Sequence, residues 1–266
     1  MAHPDIPGYI QEPFTHDGTT RAVYRRGTGP AVIVIAEIPG ITPKVIEFAD
    51  RVVGIGCSVW LPHLFGVPGE APNVVNSLRS IAPACVSKEF AAFATGRTAP
   101  VTDWLRALGK HAHEVSGGPG IGVIGMCFTG NFALGMMVDD RLLAPVLSQP
   151  SLPIGFTKKA KSDVHVSPED MLRVKERADA GVCVLGLRFT GDLAVPAERF
   201  ATLREELGDR FIGVEIDSSK GNPWGVPRGA HSVVTEHLVT DDPDHPTAKA
   251  LAQVLDFFRD RLQTIG

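Results

Sequence analysis

Four cysteines are all that this 266-residue chain contains, at positions 57, 85, 127 and 183. None forms a Cys-x-x-Cys pair or any other metal-ligand spacing, which removes a motif-borne zinc site from consideration. Their spacing leaves disulfides open, and a reduced compartment is the simpler expectation. Basic runs are absent and the net charge is −4, so neither nucleic acid nor an anionic membrane surface is a general partner. No apolar stretch reaches the roughly 18 residues of a membrane span. Internal repeats and low-complexity segments are also missing. The opening Met-Ala-His-Pro-Asp-Ile-Pro-Gly has no basic n-region and no apolar h-region, so no secretion signal is read there. The expectation is a soluble, cytoplasmic protein.

What the chain does have is an alternation of strand-like and helix-like segments. Residues 31–36 (Ala-Val-Ile-Val-Ile-Ala) form a β-branched run of the kind buried on both faces of a sheet. A helix over 42–53 follows, with Pro43 suited to its first turn. Further strands are expected at 57–61, 121–126, 142–147, 182–187 and 211–216. Helices are expected at 129–138, 197–207 and 247–262. This pattern predicts a mainly parallel sheet covered by helices on both faces, an α/β architecture. At this length such a fold forms one domain, spanning 1–266. The stretches 63–100 and 149–170 are rich in Pro, Ser and charge and are read as loops or a lid.

The most informative segment is 120–130, Gly-Ile-Gly-Val-Ile-Gly-Met-Cys-Phe-Thr-Gly. An apolar strand runs into Gly-x-Cys, placing Cys127 on a sharp strand-to-helix corner where a hydrolase elbow carries serine. Such a turn needs small neighbours because backbones approach closely. Gly125 supplies one, but the second glycine stands at 130, leaving Thr129 at its usual place. The competing account is a buried cysteine packed as a small hydrophobe.

A nucleophile of this kind needs an acid and then a histidine, in that chain order. Asp192 lies in Thr-Gly-Asp-Leu-Ala-Val-Pro just beyond the strand at 182–187, where ligands gather in open parallel sheets. Gly-Asp is equally a turn sequence, and Asp163, Asp170 and Asp217 compete for the role. His231, in Arg-Gly-Ala-His-Ser, follows the last strand by a Gly/Pro-rich loop and fills the third position. Most of the other eight histidines read as surface or structural residues. His111 and His113 stand two apart on a helix and face different ways, a poor metal pair. His63 follows a strand and reads as a loop histidine. Trp60, His63 and Trp224 are candidates for lining a pocket, and ordinary packing explains them equally well.

Glu37 ends the buried strand at 31–36. Glutamate is seldom buried unpaired, so it is either an exposed carboxylate at the strand exit or one close enough to the thiol to hold it neutral or take its proton. The backbone N–H groups of Ile38 and Phe128 are the donors that this arrangement aims at an oxyanion.

Together, Val-Ile-Val-Ile-Ala-Glu-Ile-Pro-Gly (32–40), Trp-Leu-Pro-His-Leu-Phe-Gly (60–66), Gly-Val-Ile-Gly-Met-Cys-Phe-Thr-Gly (122–130), Thr-Gly-Asp-Leu-Ala-Val-Pro (190–196) and Gly-Ala-His-Ser (229–232) resemble the dienelactone hydrolase family of the α/β-hydrolase superfamily. The resemblance runs from about residue 20 to the end of the chain. It implies an α/β-hydrolase fold and a triad of Cys127, His231 and Asp192, with Glu37 guarding the resting thiol. It also implies carboxylic ester or lactone hydrolysis, carboxymethylenebutenolidase-like, through a thioester and without a metal or organic cofactor. Two departures concern the pocket. Family members that act on dienelactones carry a carboxylate-binding arginine four residues beyond the histidine, where this chain has Thr235. A second arginine and a tyrosine expected around 79–90 have no clear counterpart. Arg79, Arg97, Arg188 and Arg228 are the arginines weighed as contacts for an anionic group. A reading from another class is a non-catalytic small-molecule binder or thiol sensor on the same scaffold.

Overall fold

The computed structural model describes residues 4–72, 90, 96–152 and 157–263. The chain opens with a β-hairpin, β1 (Ile10–His16) and β2 (Thr19–Arg26), which the sequence reading leaves unassigned. Its two-residue turn is Asp17-Gly18, both at positive φ (47° and 72°), the backbone that a tight hairpin needs. β1 forms one edge of the sheet, with Pro13 at its centre opposite Ala22.

The strands β3 (Ala31–Ile35), β4 (Ser58–Pro62), β5 (Ile121–Met126), β6 (Leu142–Ser148), β7 (Val184–Phe189) and β8 (Phe211–Ile216) run parallel. With the hairpin they make one eight-stranded sheet in the order β1-β2-β4-β3-β5-β6-β7-β8. The expected strands at 57–61 and 182–187 begin one and two residues later than read, and the expectation of a mainly parallel sheet is met.

Every side chain of β3 is buried because both faces of the sheet are covered. Ile33 and Ile35 join the apolar cluster beneath α2 (Val101–Ser116), α3 (Gly130–Met136), α5 (Pro168–Asp179) and α6 (Ala197–Leu207). Val32 and Val34 point the other way, into the cluster under α1 (Pro43–Gly54) and α7 (Pro246–Leu262). α1 starts where the sequence places it: Thr42 caps it by accepting the Val45 N–H at 3.3 Å, and Pro43 takes the first turn.

One of the two stretches read as loops or a lid departs from that expectation. Residues 157–170 include α4 (Lys158–Ser162) and the first turn of α5. Of the stretch 63–100, residues 73–89 and 91–95 lie outside the described residues, as do 153–156. The parallel strands deliver their carboxyl ends to one rim of the sheet. Glu37, Cys127, Gln149, Ser151 and Asp192 all follow those ends, which is where a parallel sheet gathers its chemistry.

Candidate active site

The corner after β5 is built by close backbone contacts. Cys127 has φ of 57°, a left-handed conformation that is uncommon for a side-chain-bearing residue and persists where its surroundings impose it. A Cβ on Gly125 would lie 2.1 Å from the Thr129 carbonyl oxygen, and one on Gly130 would lie 2.7 Å from Pro150 Cα. Both glycines of Gly-x-Cys-x-x-Gly are therefore required, the second by the neighbouring loop. Thr129, at the place expected to be glycine, is completely buried. Its hydroxyl accepts the Met126 N–H at 2.9 Å and shares its proton between the carbonyls of Ile35 and Met126, each at 2.9 Å. This residue ties the corner to the end of β3. The expected helix at 129–138 is a three-residue 3-10 turn, Cys127–Thr129, followed by α3.

Asp192 serves both readings that the sequence left open. One carboxylate oxygen accepts the Ala194 N–H at 2.9 Å and shapes the turn after β7, while the other meets His231 Nδ1 at 2.6 Å. Nδ1 thus carries its proton toward Asp192, and Nε2 is the nitrogen left for the sulfur. Burial disfavours the charged imidazole. The charge of the Cys127 sulfur and the Asp192 carboxylate outweigh that cost and push His231 up to about 11. His231 is therefore paired with Asp192 and coupled to the charge of Cys127.

The competing acids are engaged elsewhere. Asp163 accepts the N–H of Gly96, Asp170 accepts from Arg106, and Asp217 caps a turn at Ser219. The loop bearing His231 is fixed from behind by His237, whose Nδ1 accepts the N–H groups of His231 (3.4 Å) and Ser232 (3.3 Å). Burial, then the neighbouring His231 charge, lowers the His237 pKa, which suits a nitrogen that must stay an acceptor.

Glu37 is 4% exposed, so it is a buried carboxylate and not one at a wet strand exit. Its oxygens are taken by the Ser232 hydroxyl at 2.5 Å, the Thr235 hydroxyl and Gln149 Nε2 at 3.3 Å. Gln149 is held in turn, its Oε1 accepting from the Val233 N–H at 3.2 Å and from the Ser148 hydroxyl. Glu37 thus faces the segment after His231. The sulfur has a different hydroxyl beside it: Ser151 Oγ lies 3.1 Å from Cys127 Sγ.

Ser151, Gln149, Ser232 and Thr235 are polar site residues that the sequence reading did not single out as such. The available signal was position: Gln149 and Ser151 follow the end of β6, the strand adjacent to β5. Phe128 enters the first helical turn, where N–H groups lack intrahelical partners, and Ile38 follows β3 on the same rim. Trp60 packs in the core, its indole donating to Ser116 Oγ at 3.3 Å, and His111 stacks on Phe14. His63 faces the Gly66 carbonyl at 2.9 Å, and Trp224 packs its ring against His245. Arg188 is committed to Glu215 and the Val195 carbonyl, and Arg79 lies outside the described residues. Among the described residues, no group of three or more His, Cys, Asp or Glu is arranged to hold a metal ion, and no helix is long and apolar enough to cross a membrane.

Residues 19–262 match the sequence profile of the dienelactone hydrolase family. No curated protein matches the chain. Among solved structures, a dienelactone hydrolase from Anabaena variabilis aligns with a TM-score of 0.62 at 13% identity, over 96% of this chain and 98% of that one. A promiscuous dienelactone hydrolase-like phosphotriesterase from metagenomic libraries gives 0.61 at 14%, again over 96% and 98%. A cold-adapted esterase from an Arctic intertidal metagenomic library gives 0.56 at 18%, over 98% and 97%. At these identities the neighbours establish the α/β-hydrolase fold.

Proposed function

Because the chain belongs to the dienelactone hydrolase family and is a hydrolase of that type, we propose that it hydrolyses a small ester or lactone with Cys127 as nucleophile, through a thioester. The observation that carries this reading is the His231–Asp192 pair at 2.6 Å, electrostatically coupled to Cys127, with the cysteine held at positive φ on its corner. A thiol of ordinary pKa, about 8.5, is a weak nucleophile until its proton leaves. His231 Nε2 takes that proton, and Asp192 keeps the ring oriented and stabilises its charge.

The thiolate then attacks the acyl carbon, forming the C–S bond as the carbonyl π pair moves to oxygen. The N–H groups of Ile38 and Phe128 receive that oxyanion, and each such donor is worth about 10²–10³ in rate. As the tetrahedral centre collapses, the C–O bond to the leaving group breaks and the alkoxide takes the proton from His231. Water, deprotonated by His231, next attacks the thioester and releases the acid and the thiolate. Every proton transfer is carried by His231, so the scheme needs neither metal nor organic cofactor. Glu37 stands withdrawn in this scheme, bonded to the segment after His231. In the same reading residues 1–266 act as one domain, in the cytoplasm, on a small-molecule substrate.

The test is turnover of p-nitrophenyl acetate and a panel of lactones by wild type beside Cys127→Ala, with mass spectrometry for an acyl adduct on Cys127 in the wild type. Cys127-dependent turnover with a transient adduct is expected. Wild-type rates in the variant would overturn the proposal, and an adduct that never turns over would point to the thiol-sensor reading.

A further inference from the structure

We propose that Ser151 is a further catalytic residue: its hydroxyl donates a hydrogen bond to the Cys127 sulfur and holds it as the thiolate opposite His231. The proposal rests on Cys127 being the nucleophile and extends that reading to what the resting sulfur touches.

Three observations carry it. The first is proximity with no competing use: Ser151 Oγ lies 3.1 Å from Sγ, and among the described residues the sulfur is the partner that this hydroxyl has. The second is that the distance is built in. The Ser151 N–H donates to the Cys127 carbonyl at 2.9 Å, Asn131 Nδ2 donates to the Ser151 carbonyl at 3.2 Å, and Arg199 holds the preceding Pro150 carbonyl at 2.9 Å. Ser151 itself is buried. The third is that the carboxylate on this rim is occupied, since Ser232, Thr235 and Gln149 share the oxygens of Glu37.

The proton balance fixes the direction of the bond. Once the Cys127 proton has moved to His231 Nε2, the sulfur is an acceptor only. It then receives the imidazolium N–H on one side and the Ser151 O–H on the other, and the serine proton stays on its oxygen throughout. A hydrogen bond to the charged form favours that form. It is also given up in part when the sulfur lone pair forms the new C–S bond, so it raises the thiolate fraction without raising the reactivity of each thiolate. The other ionisable groups around this pair are Asp192 on His231 Nδ1, His237 behind the His231 backbone, and Glu37 beyond Ser232. Replacing Ser151 leaves all three in place.

The experiment is the pH profile of Cys127 alkylation by iodoacetamide in the full chain, read by mass spectrometry for wild type, Ser151→Ala and Ser151→Thr. The backbone bonds of Ser151 survive both substitutions. In Ser151→Ala the profile is expected to move up by about one unit, a tenfold loss of rate on its acid limb, with the alkaline plateau kept. Ser151→Thr, which retains a hydroxyl, restores the acid limb. A Ser151→Ala profile that matches wild type, or one lowered equally at every pH, would overturn the assignment. Ester turnover by Cys127→Ala runs in parallel. Turnover that survives there overturns the nucleophile and the role of Ser151 with it. Turnover that needs Cys127, beside an unmoved Ser151→Ala profile, overturns Ser151 alone.

Discussion

The buried Arg199 guanidinium donates to the Pro150 carbonyl at 2.9 Å, so a side chain of α6 holds the residue before Ser151. The same group also donates to the carbonyls of Asp163 (2.7 Å) and Ala194 (3.0 Å), joining the loops after β6 and β7 to the segment that includes α4. Burial lowers its pKa to about 10, leaving it charged at neutral pH.

Arg199→Lys keeps the charge but replaces a planar fork by a single ammonium, which cannot serve three separated carbonyls. Stranding one or two of them costs about 1–3 kcal/mol each. A clear fall in Tm is expected by calorimetry, together with weaker turnover because the Ser151 and Asp192 loops loosen. A variant as stable as wild type would show that water replaces the guanidinium.

Asp192→Asn separates the two tasks of that residue. The amide oxygen still accepts the Ala194 N–H, so the turn is expected to hold, and the Tm falls only by what the charge on His231 contributed. The charge opposite His231 is lost, and kcat should fall by about 10²–10⁴, as when a triad acid is neutralised. Steady-state ester kinetics decide it, and an unchanged kcat would remove Asp192 from the mechanism.

Thr129→Val keeps the shape of the corner and deletes its hydroxyl. The Met126 N–H then loses its acceptor and the Ile35 carbonyl its donor, a loss of about 1–3 kcal/mol. A lower urea midpoint is expected, with Thr129→Ser recovering most of it. Equal midpoints for valine and threonine would mean that this bridge contributes nothing net.

Two histidines set opposite pH dependences on stability. His237 is lowered from 6.5 by burial first, so below about pH 6.5 the unfolded chain binds a proton that the folded chain refuses. Stability therefore falls with acid over that window. His231 is raised to about 11, so its contribution is complete below pH 6.5 and disappears as pH climbs through about 11. Thermal melts between about pH 5 and 6.5 should show a shallower acid loss for His237→Ala than for wild type. Parallel losses would show that His237 titrates freely.

Much of this site was legible because it sits at strand ends. The β-branched run at β3 announced the strand end that Glu37 follows, and the glycine-flanked Cys127 announced the corner after β5. Asp192 and His231 followed from their order along the chain. The hairpin was missed although Asp17-Gly18 carries its turn signal. α5 was missed for a different reason: only Val174, Arg177 and Ala178 of its twelve residues are buried, so the apolar stripe is too narrow to read. The bonds of Ser151, Gln149, Ser232 and Thr235 left no local trace. Each is an uncharged polar residue whose partner lies just beyond a distant strand end.

The first strand also governs where the sheet stops. The Ala22 carbonyl is used by the His63 N–H at 2.9 Å, which turns the polar backbone groups of Ala22 toward β4. Pro13, directly across from Ala22, therefore turns its own backbone outward, toward any ninth strand. There the ring nitrogen has no hydrogen to offer, and an arriving strand finds a gap at the middle of the ladder it would need. A single imino acid thus discourages edge-to-edge stacking of one molecule on another.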